Sequence, residues 1–182
     1  YKRTAGQKKQ IVSAMLELPC CGIRVSNISK TAFTGIGTVM DMQSDKVCDS
    51  INCLLSKRNL GPLTSFQQTH SVAYGIFAND HLETVMVTTT AMLGSPFKIC
   101  VSVDWIASIG KSNGASWMVE KLKSKVNQRK QKSYVITQCD NRESARKFWK
   151  GRLTTSKWAN VFVGLMHIYD EDIKIYESVQ NM

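Results

Sequence analysis

Between Phe97 and Leu153 the chain passes through a strand, a small-residue turn, an amphipathic helix, a second strand and a second helix. That order restricts it to a mixed α/β fold. Phe97–Ala107 alternates apolar with small or polar residues, and Gly110-Lys111-Ser112-Asn113-Gly114-Ala115-Ser116 then breaks the alternation. Beyond the break Ala115, Met118, Val119, Leu122 and Val126 recur at helical spacing, so they share one face. A strand that turns through glycines into a helix start leaves backbone amides pointing outward, with the positive end of the helix dipole behind them. Such a turn suits a bound phosphate.

The 182 residues, 43% apolar and 21% charged with three prolines, fit one globular domain with a single sizeable core. No apolar run approaches the roughly 18 to 20 residues that span a bilayer, so no membrane partner is expected. The chain opens on Tyr1 rather than methionine, so the missing leader pattern says little. Cys20, Cys21, Cys48, Cys53, Cys100 and Cys139 form no C-x-x-C pair, Cys48 and Cys53 are poorly spaced as ligands on a helix, and His70, His81 and His167 are scattered. No metal site is expected. Unpaired buried thiols point to a reducing, intracellular setting, cytoplasm or nucleus.

The net charge of +10 is confined to one stretch, since Lys111–Lys157 holds thirteen Lys or Arg against three acidic residues. Lys121, Lys123, Lys125, Arg129, Lys130 and Lys132 trail toward a helix C-terminus, where they serve either as a solvated, dipole-complementing face or as a seat for a polyanion. Nucleic acid is the secondary candidate, because nothing resembles a helix-turn-helix, a zinc finger or an aromatic RNA-binding signature.

Elsewhere the sequence predicts a basic N-terminal helix over Tyr1–Leu18 and a short strand at Ile23–Ile28. Residues 1–32 are thus a lead-in to a domain spanning 33–182. A strand is expected over Thr38–Met42. A helix follows through Lys57, capped by Ser44 or Asp45, and Gly61-Pro62 ends that region. Ser71–Ala78 and His81–Leu93 read as a hairpin around Asn79-Asp80. Ser133–Gln138 is a strand, and Asn141–Trp149 a helix with Ala145, Phe148 and Trp149 on one face. Trp158–Tyr169 and Ile173–Val179 form a closing hairpin.

From roughly Gly35 onward, and most strongly over Phe97–Leu153, the chain resembles the GNAT-type N-acetyltransferases, which use acetyl-coenzyme A. In that family the fourth strand leads into a Gln/Arg-x-x-Gly-x-Gly/Ala turn that opens a helix. Lys111-Ser112-Asn113-Gly114-Ala115-Ser116 is similar, with Lys for Arg and Ser for the last Gly. The family's later Asn-x-x-Ala-x-x-Phe-Tyr is matched by Ala145 and Phe148, with Asn141 one residue early and Trp149 in place of tyrosine. An indole N–H cannot replace the phenol as an acid for the departing thiolate. A P-loop is the other reading of Gly110-Lys111-Ser112, but the position five residues earlier, where a glycine is required, is Trp105.

The resemblance implies a GNAT-like acyl-CoA N-acyltransferase fold, with a mixed, mostly antiparallel sheet flanked by helices and splayed near the cofactor. It implies acetyl-CoA as cofactor and a protein or small-molecule amine as acceptor, a protein lysine or N-terminus ahead of a small amine. Backbone near Trp105, Ile106 and Ala107 would pair with the pantetheine arm. Residues Lys111 to Ser116 would hold the pyrophosphate, with Asn141, Arg146 and Trp149 as further cofactor contacts and Lys111, Lys121 and Arg146 as candidate cations. A base must deprotonate the amine. Asp104 is the first candidate, sharing a strand face with Ser102, and Glu83 and His81 are reserves. Each also reads as an ordinary polar strand residue, and Trp105, Trp117, Phe148 and Trp149 read first as core aromatics. A degenerate module that keeps the fold as a binding or interaction domain is the alternative that Trp149 favours.

Overall fold

A computed structural model describes residues 33–78, 81–93, 98–109, 113–130, 133–139, 142–155 and 172–177. The expected N-terminal helix, the strand at 23–28, the turn at 79–80 and the strand at 158–169 lie outside the described residues. The elements in chain order are β1 (Phe33–Thr34), β2 (Gly37–Val39), α1 (Asp45–Lys57), α2 (Ser65–His70), β3 (Val72–Ala78) and β4 (His81–Leu93). There follow β5 (Lys98–Ser108), α3 (Gly114–Asn127), β6 (Ser133–Cys139), α4 (Glu143–Trp149), β7 (Thr154–Thr155) and β8 (Asp172–Glu177). They gather into two compact units. One holds the described residues up to Val87 with Trp105–Met118, the other Thr88–Asp104 with the described residues from Val119 onward.

In the first unit the strands lie in the order β1-β2-β3-β4-β5. β1 and β2 pair antiparallel (Thr34↔Gly37), as do β2 and β3 (Thr38↔Gly75). β2 is shorter than the alternation of Thr38–Met42 suggests. Met40 and Met42 follow the strand and are buried in the core; the Met40 amide still donates to the Ala73 carbonyl of β3 at 2.9 Å, and Met42 lies beyond that last bond. α1 buries Val47, Ile51, Leu54 and Leu55 at helical spacing against Met40, Met42, Ala73, Leu82, Val85 and Val87. Ser44 occupies its N-cap position without a side-chain capping bond.

α1 stops before Gly61-Pro62, for a reason in the backbone. Asn59 has φ +55°, and the amides of Asn59 and Leu60 return to the carbonyls of Ser56 and Leu55, each at 3.0 Å. This is a Schellman closure in which Asn takes the left-handed position usual for Gly, and Leu60 packs on the core beyond it. α2 was not expected from the sequence. It starts in a reciprocal capping box, Thr64 Oγ1 accepting from the Gln67 amide at 3.1 Å and Gln67 Oε1 from the Thr64 amide at 3.0 Å.

In the second unit the order is β4-β5-β6-β8-β7. β5 and β6 are parallel from Ile99↔Ser133 to Ser102↔Ile136, as strands joined through a helix are able to be. β6 pairs antiparallel with β8 over six positions, and β8 pairs with β7 through Thr154↔Ile175. The architecture is thus mixed α/β, with β5 and β6 parallel and the β1–β2, β2–β3, β6–β8 and β7–β8 pairs antiparallel. On α3 the stripe Met118, Val119, Leu122 and Val126 is buried, as its spacing requires. No helix among the described residues is long and apolar enough to cross a membrane.

Candidate functional site

The end of β5 and the start of α3 are tied to β4 within the first unit. The Ile109 amide donates to the Glu83 carbonyl at 2.9 Å. The Thr84 and Ser108 hydroxyls are bonded at 2.8 Å. The Asn113 carbonyl accepts the first intrahelical bond, from the Trp117 amide at 2.9 Å, which places Asn113 at the N-cap. Next in the chain is Gly114, where a Cβ would stand 2.6 Å from Thr84 Oγ1, 3.2 Å from Thr84 Cβ and 3.3 Å from Ile76 Cδ1. The glycine of the turn motif is therefore demanded by helix-on-strand packing, whatever ligand the turn holds. Asn113 is exposed, and Ala115 and Ser116 are half-buried; Lys111 and Ser112 lie outside the described residues.

Farther back on β5, Trp105 and Ile106 are half-buried and Ala107 is buried. The Trp105 indole donates Nε1–H to Gln67 Oε1 at 3.2 Å and packs against the core, so its side chain faces α2. Arg58 Nε donates to the Ser108 carbonyl at 2.5 Å. Sequence reasoning missed both α2 and Arg58 here. The Thr64-x-x-Gln67 spacing was the available signal for the first, and none existed for the second. Glu83 is only 3% exposed and His81 is also buried, on a β4 whose residues from His81 to Thr88 are all buried. A carboxylate and an imidazole so placed are part of the interior rather than the expected polar residues of an open strand start.

Asp104 belongs to the second unit, on the half-buried part of β5. Its Oδ1 accepts from Ser102 Oγ at 2.8 Å and its Oδ2 from Thr89 Oγ1 of β4 at 2.5 Å. The shared face with Ser102 is as the period of two predicts, whereas Thr89 needed the strand pairing to be found. Just before Asp104 the ladder to β6 ends. The last paired position is Ser102↔Ile136, and Val103 offers its carbonyl instead to the Thr137 hydroxyl at 2.9 Å. β5 nonetheless runs on to Ser108.

α4 begins at Glu143 with Arg142 as N-cap, one residue later than Asn141, which lies outside the described residues. Trp149 is 4% exposed and meets Phe148 edge to face at 4.8 Å, as a core aromatic should. Phe148 is half-buried beneath the Arg152 guanidinium, 4.5 Å from its ring. Trp117 departs from the expectation. It is 39% exposed, because its position on α3 falls beside the buried stripe rather than within it. Arg146 and Lys121 are exposed on their helices.

Two of the described thiols, Cys48 and Cys100, are poor nucleophiles. Burial pushes Cys100 up to about 12. Cys48 donates to the Met42 carbonyl at 3.2 Å. It is raised by burial and by the neighbouring carboxylates of Asp45, Asp49 and Asp41.

No family model matches the chain, and no curated protein matches it. Among solved structures the chain is similar to Arabidopsis thaliana Naa50 in complex with the bisubstrate analogue CoA-Ac-MVNAL. The TM-score is 0.49 and the identity 15%, over 75% of this chain and 94% of that one. It is also similar to a point mutant of the AtaT toxin bound to the C-terminus of the antitoxin AtaR and acetyl-CoA. There the TM-score is 0.46 and the identity 10%, over 83% of this chain and 90% of that one.

Proposed function

We propose that the chain is an acetyl-CoA-dependent N-acetyltransferase acting on a primary amine of a protein, a lysine or an N-terminus. The observation that carries the reading is the behaviour of β5. Its ladder to β6 stops at Ser102, yet the strand continues to Ser108 and is followed within a few residues by the start of α3. The extended backbone of Trp105–Ser108, in the same unit as the helix start, can accept an amide-bearing arm by strand addition, and the helix start can accept a pyrophosphate. The chemistry of these donors therefore fits the cofactor that the sequence resemblance implies. When bound, acetyl-CoA supplies an activated acetyl thioester.

The protein's own contributions follow from this placement. Backbone groups of Trp105, Ile106 and Ala107 would hold the pantetheine arm and would supply a preorganised dipole for the thioester carbonyl. Amides from Asn113 to Ser116 would hold the phosphates; Lys111 and Ser112, which lie outside the described residues, and Lys121 and Arg146 are candidate cofactor contacts on the sequence resemblance alone. Asp104 takes a proton from the incoming ammonium, with Glu83 and His81 as reserves. Holding both reactants in one complex supplies much of the rate. Trp149 takes no part in proton transfer, because an indole has no acidic proton near neutral pH. That buried indole favours a second reading, a module that keeps the fold and the ligand but has lost turnover.

Calorimetric titration with acetyl-CoA, with 3′-dephospho-CoA and ATP as controls, tests the binding half of the proposal. Thiol release with a lysine peptide and with a free N-terminal peptide tests the other half. Micromolar binding with peptide-dependent release supports the enzyme. Binding without release selects the second reading, and absence of binding by a folded chain refutes both.

A further inference from the structure

Asp104 is held at both oxygens by hydroxyls from two different strands, Ser102 on its own strand and Thr89 on β4. An ionised carboxylate only accepts hydrogen bonds, and each hydroxyl has a single proton to give, so both protons point at Asp104. Two anchors, one per oxygen, fix the rotation of the carboxylate about its terminal torsion, which is otherwise broad. Roughly four acceptor positions exist on such a group, so about two are left after these bonds to the described residues are made. The arrangement is more than an interstrand tie, since one hydroxyl would suffice for that.

From this geometry we infer that Thr89 and Ser102 are positioning residues for Asp104 as proton acceptor, a conclusion that rests on the acetyltransferase reading. In the step concerned, one N–H bond of the substrate ammonium breaks and its proton passes to a free lone pair of Asp104. The electron pair of that bond stays on nitrogen as the nucleophile, and Asp104 becomes a neutral acid. The two hydroxyls go on donating to the lone pairs they already hold, so the network survives both protonation states. Neither hydroxyl touches the substrate.

The test measures kcat and the amine KM for Thr89→Val, Ser102→Ala, Thr89→Ser, Ser102→Thr and Asp104→Asn, with acetyl-CoA affinity and thermal melting measured in parallel. Asp104→Asn should lower kcat by about a hundredfold or more, the usual share of a general base, with acetyl-CoA affinity kept. Thr89→Val and Ser102→Ala should each lower kcat by about tenfold with little change in KM, in line with what misplacing a reacting group costs. Thr89→Ser and Ser102→Thr retain the hydroxyl and should restore most of kcat. If Asp104→Asn is slow while Thr89→Val and Ser102→Ala keep full kcat, or if the hydroxyl-retaining variants fail to rescue, the positioning role is refuted and the acetyltransferase reading stands. A wild-type chain that binds acetyl-CoA and turns over no amine overturns both.

Discussion

Gly114→Ala is the substitution whose outcome the structure determines most sharply. A new methyl at this position would lie 2.6 Å from Thr84 Oγ1, well inside contact distance, and 3.2 to 3.3 Å from Thr84 Cβ and Ile76 Cδ1. Thr84 is fully buried and its hydroxyl is bonded to Ser108 at 2.8 Å. For Thr84 to yield it must give up that bond, a loss of about 1 kcal/mol. Overpacking of this kind costs about 1 to 3 kcal/mol. Alanine regains at most about 1 kcal/mol of helix propensity, less at a first turn than in a helix interior. The net expectation is a destabilisation of about 1 to 2 kcal/mol, or a fall in melting temperature of about 2 to 8 °C for a chain of this size.

Urea denaturation of the wild type, Gly114→Ala, Thr84→Ala and the double variant reads this directly. Removing the threonine hydroxyl should relieve most of the clash, giving a coupling of about 1 kcal/mol between the two sites. Equal effects of Gly114→Ala in both backgrounds, or a stabilised single variant, would show that the contact is not what requires glycine. The double variant also separates packing from ligand binding. If it is folded and still fails to bind acetyl-CoA, the loss belongs to the turn rather than to a displaced helix.

Thr64→Ala removes the α2 cap and should cost about 1 kcal/mol. Gln67→Ala should cost more, because Gln67 Oε1 serves both the Thr64 amide and the Trp105 indole. Equal costs by urea titration, with tryptophan emission unchanged in Gln67→Ala, would refute the link from α2 to β5. Cys100 gives a pH prediction. Its thiol is raised from 9.0 to about 12 by burial, so the folded chain holds this proton more tightly than the unfolded one. That contribution is complete below about pH 9 and is lost as the pH climbs toward 12. Stability should fall across this window, and Cys100→Ala should flatten the fall; parallel pH profiles for the two proteins would count against it.

What was legible in the sequence was whatever repeats. The stripes of α1 and α3 repeat over several turns, and their buried residues were identified before the fold. α2 has six residues, too few for a period, and was signalled only by the spacing from Thr64 to Gln67. The expected strand ran two residues too far, to Met42, because alternation records burial as well as hydrogen bonding, and the last strand-like bond to β3 is made by Met40. The end of α1 at Lys57 was placed correctly, but the device that makes it was not legible, because Asn59 takes the left-handed position that glycine usually takes. At the candidate site, Asp104 and Ser102 could be paired from strand periodicity alone. Thr89 could not, since it lies fifteen residues away and meets Asp104 only through pairing of β4 with β5. The packing demand on Gly114 was hidden for the same reason: its partner Thr84 comes from a strand thirty residues earlier.

β6 takes one neighbour, β5, from the chain made before it and the other, β8, from much later. Its six positions facing β8, Tyr134↔Glu177 to Cys139↔Asp172, have no partner until residues 172–177 have been made. At about 5 to 20 residues per second that delay is several seconds. Throughout it, a strand carrying the fully buried Val135 has one unsatisfied edge, the kind that captures strands from other chains. Misassembly during synthesis should therefore begin at β6, and a ribosome pause placed between residues 139 and 172 should lower the soluble yield more than one placed before residue 98.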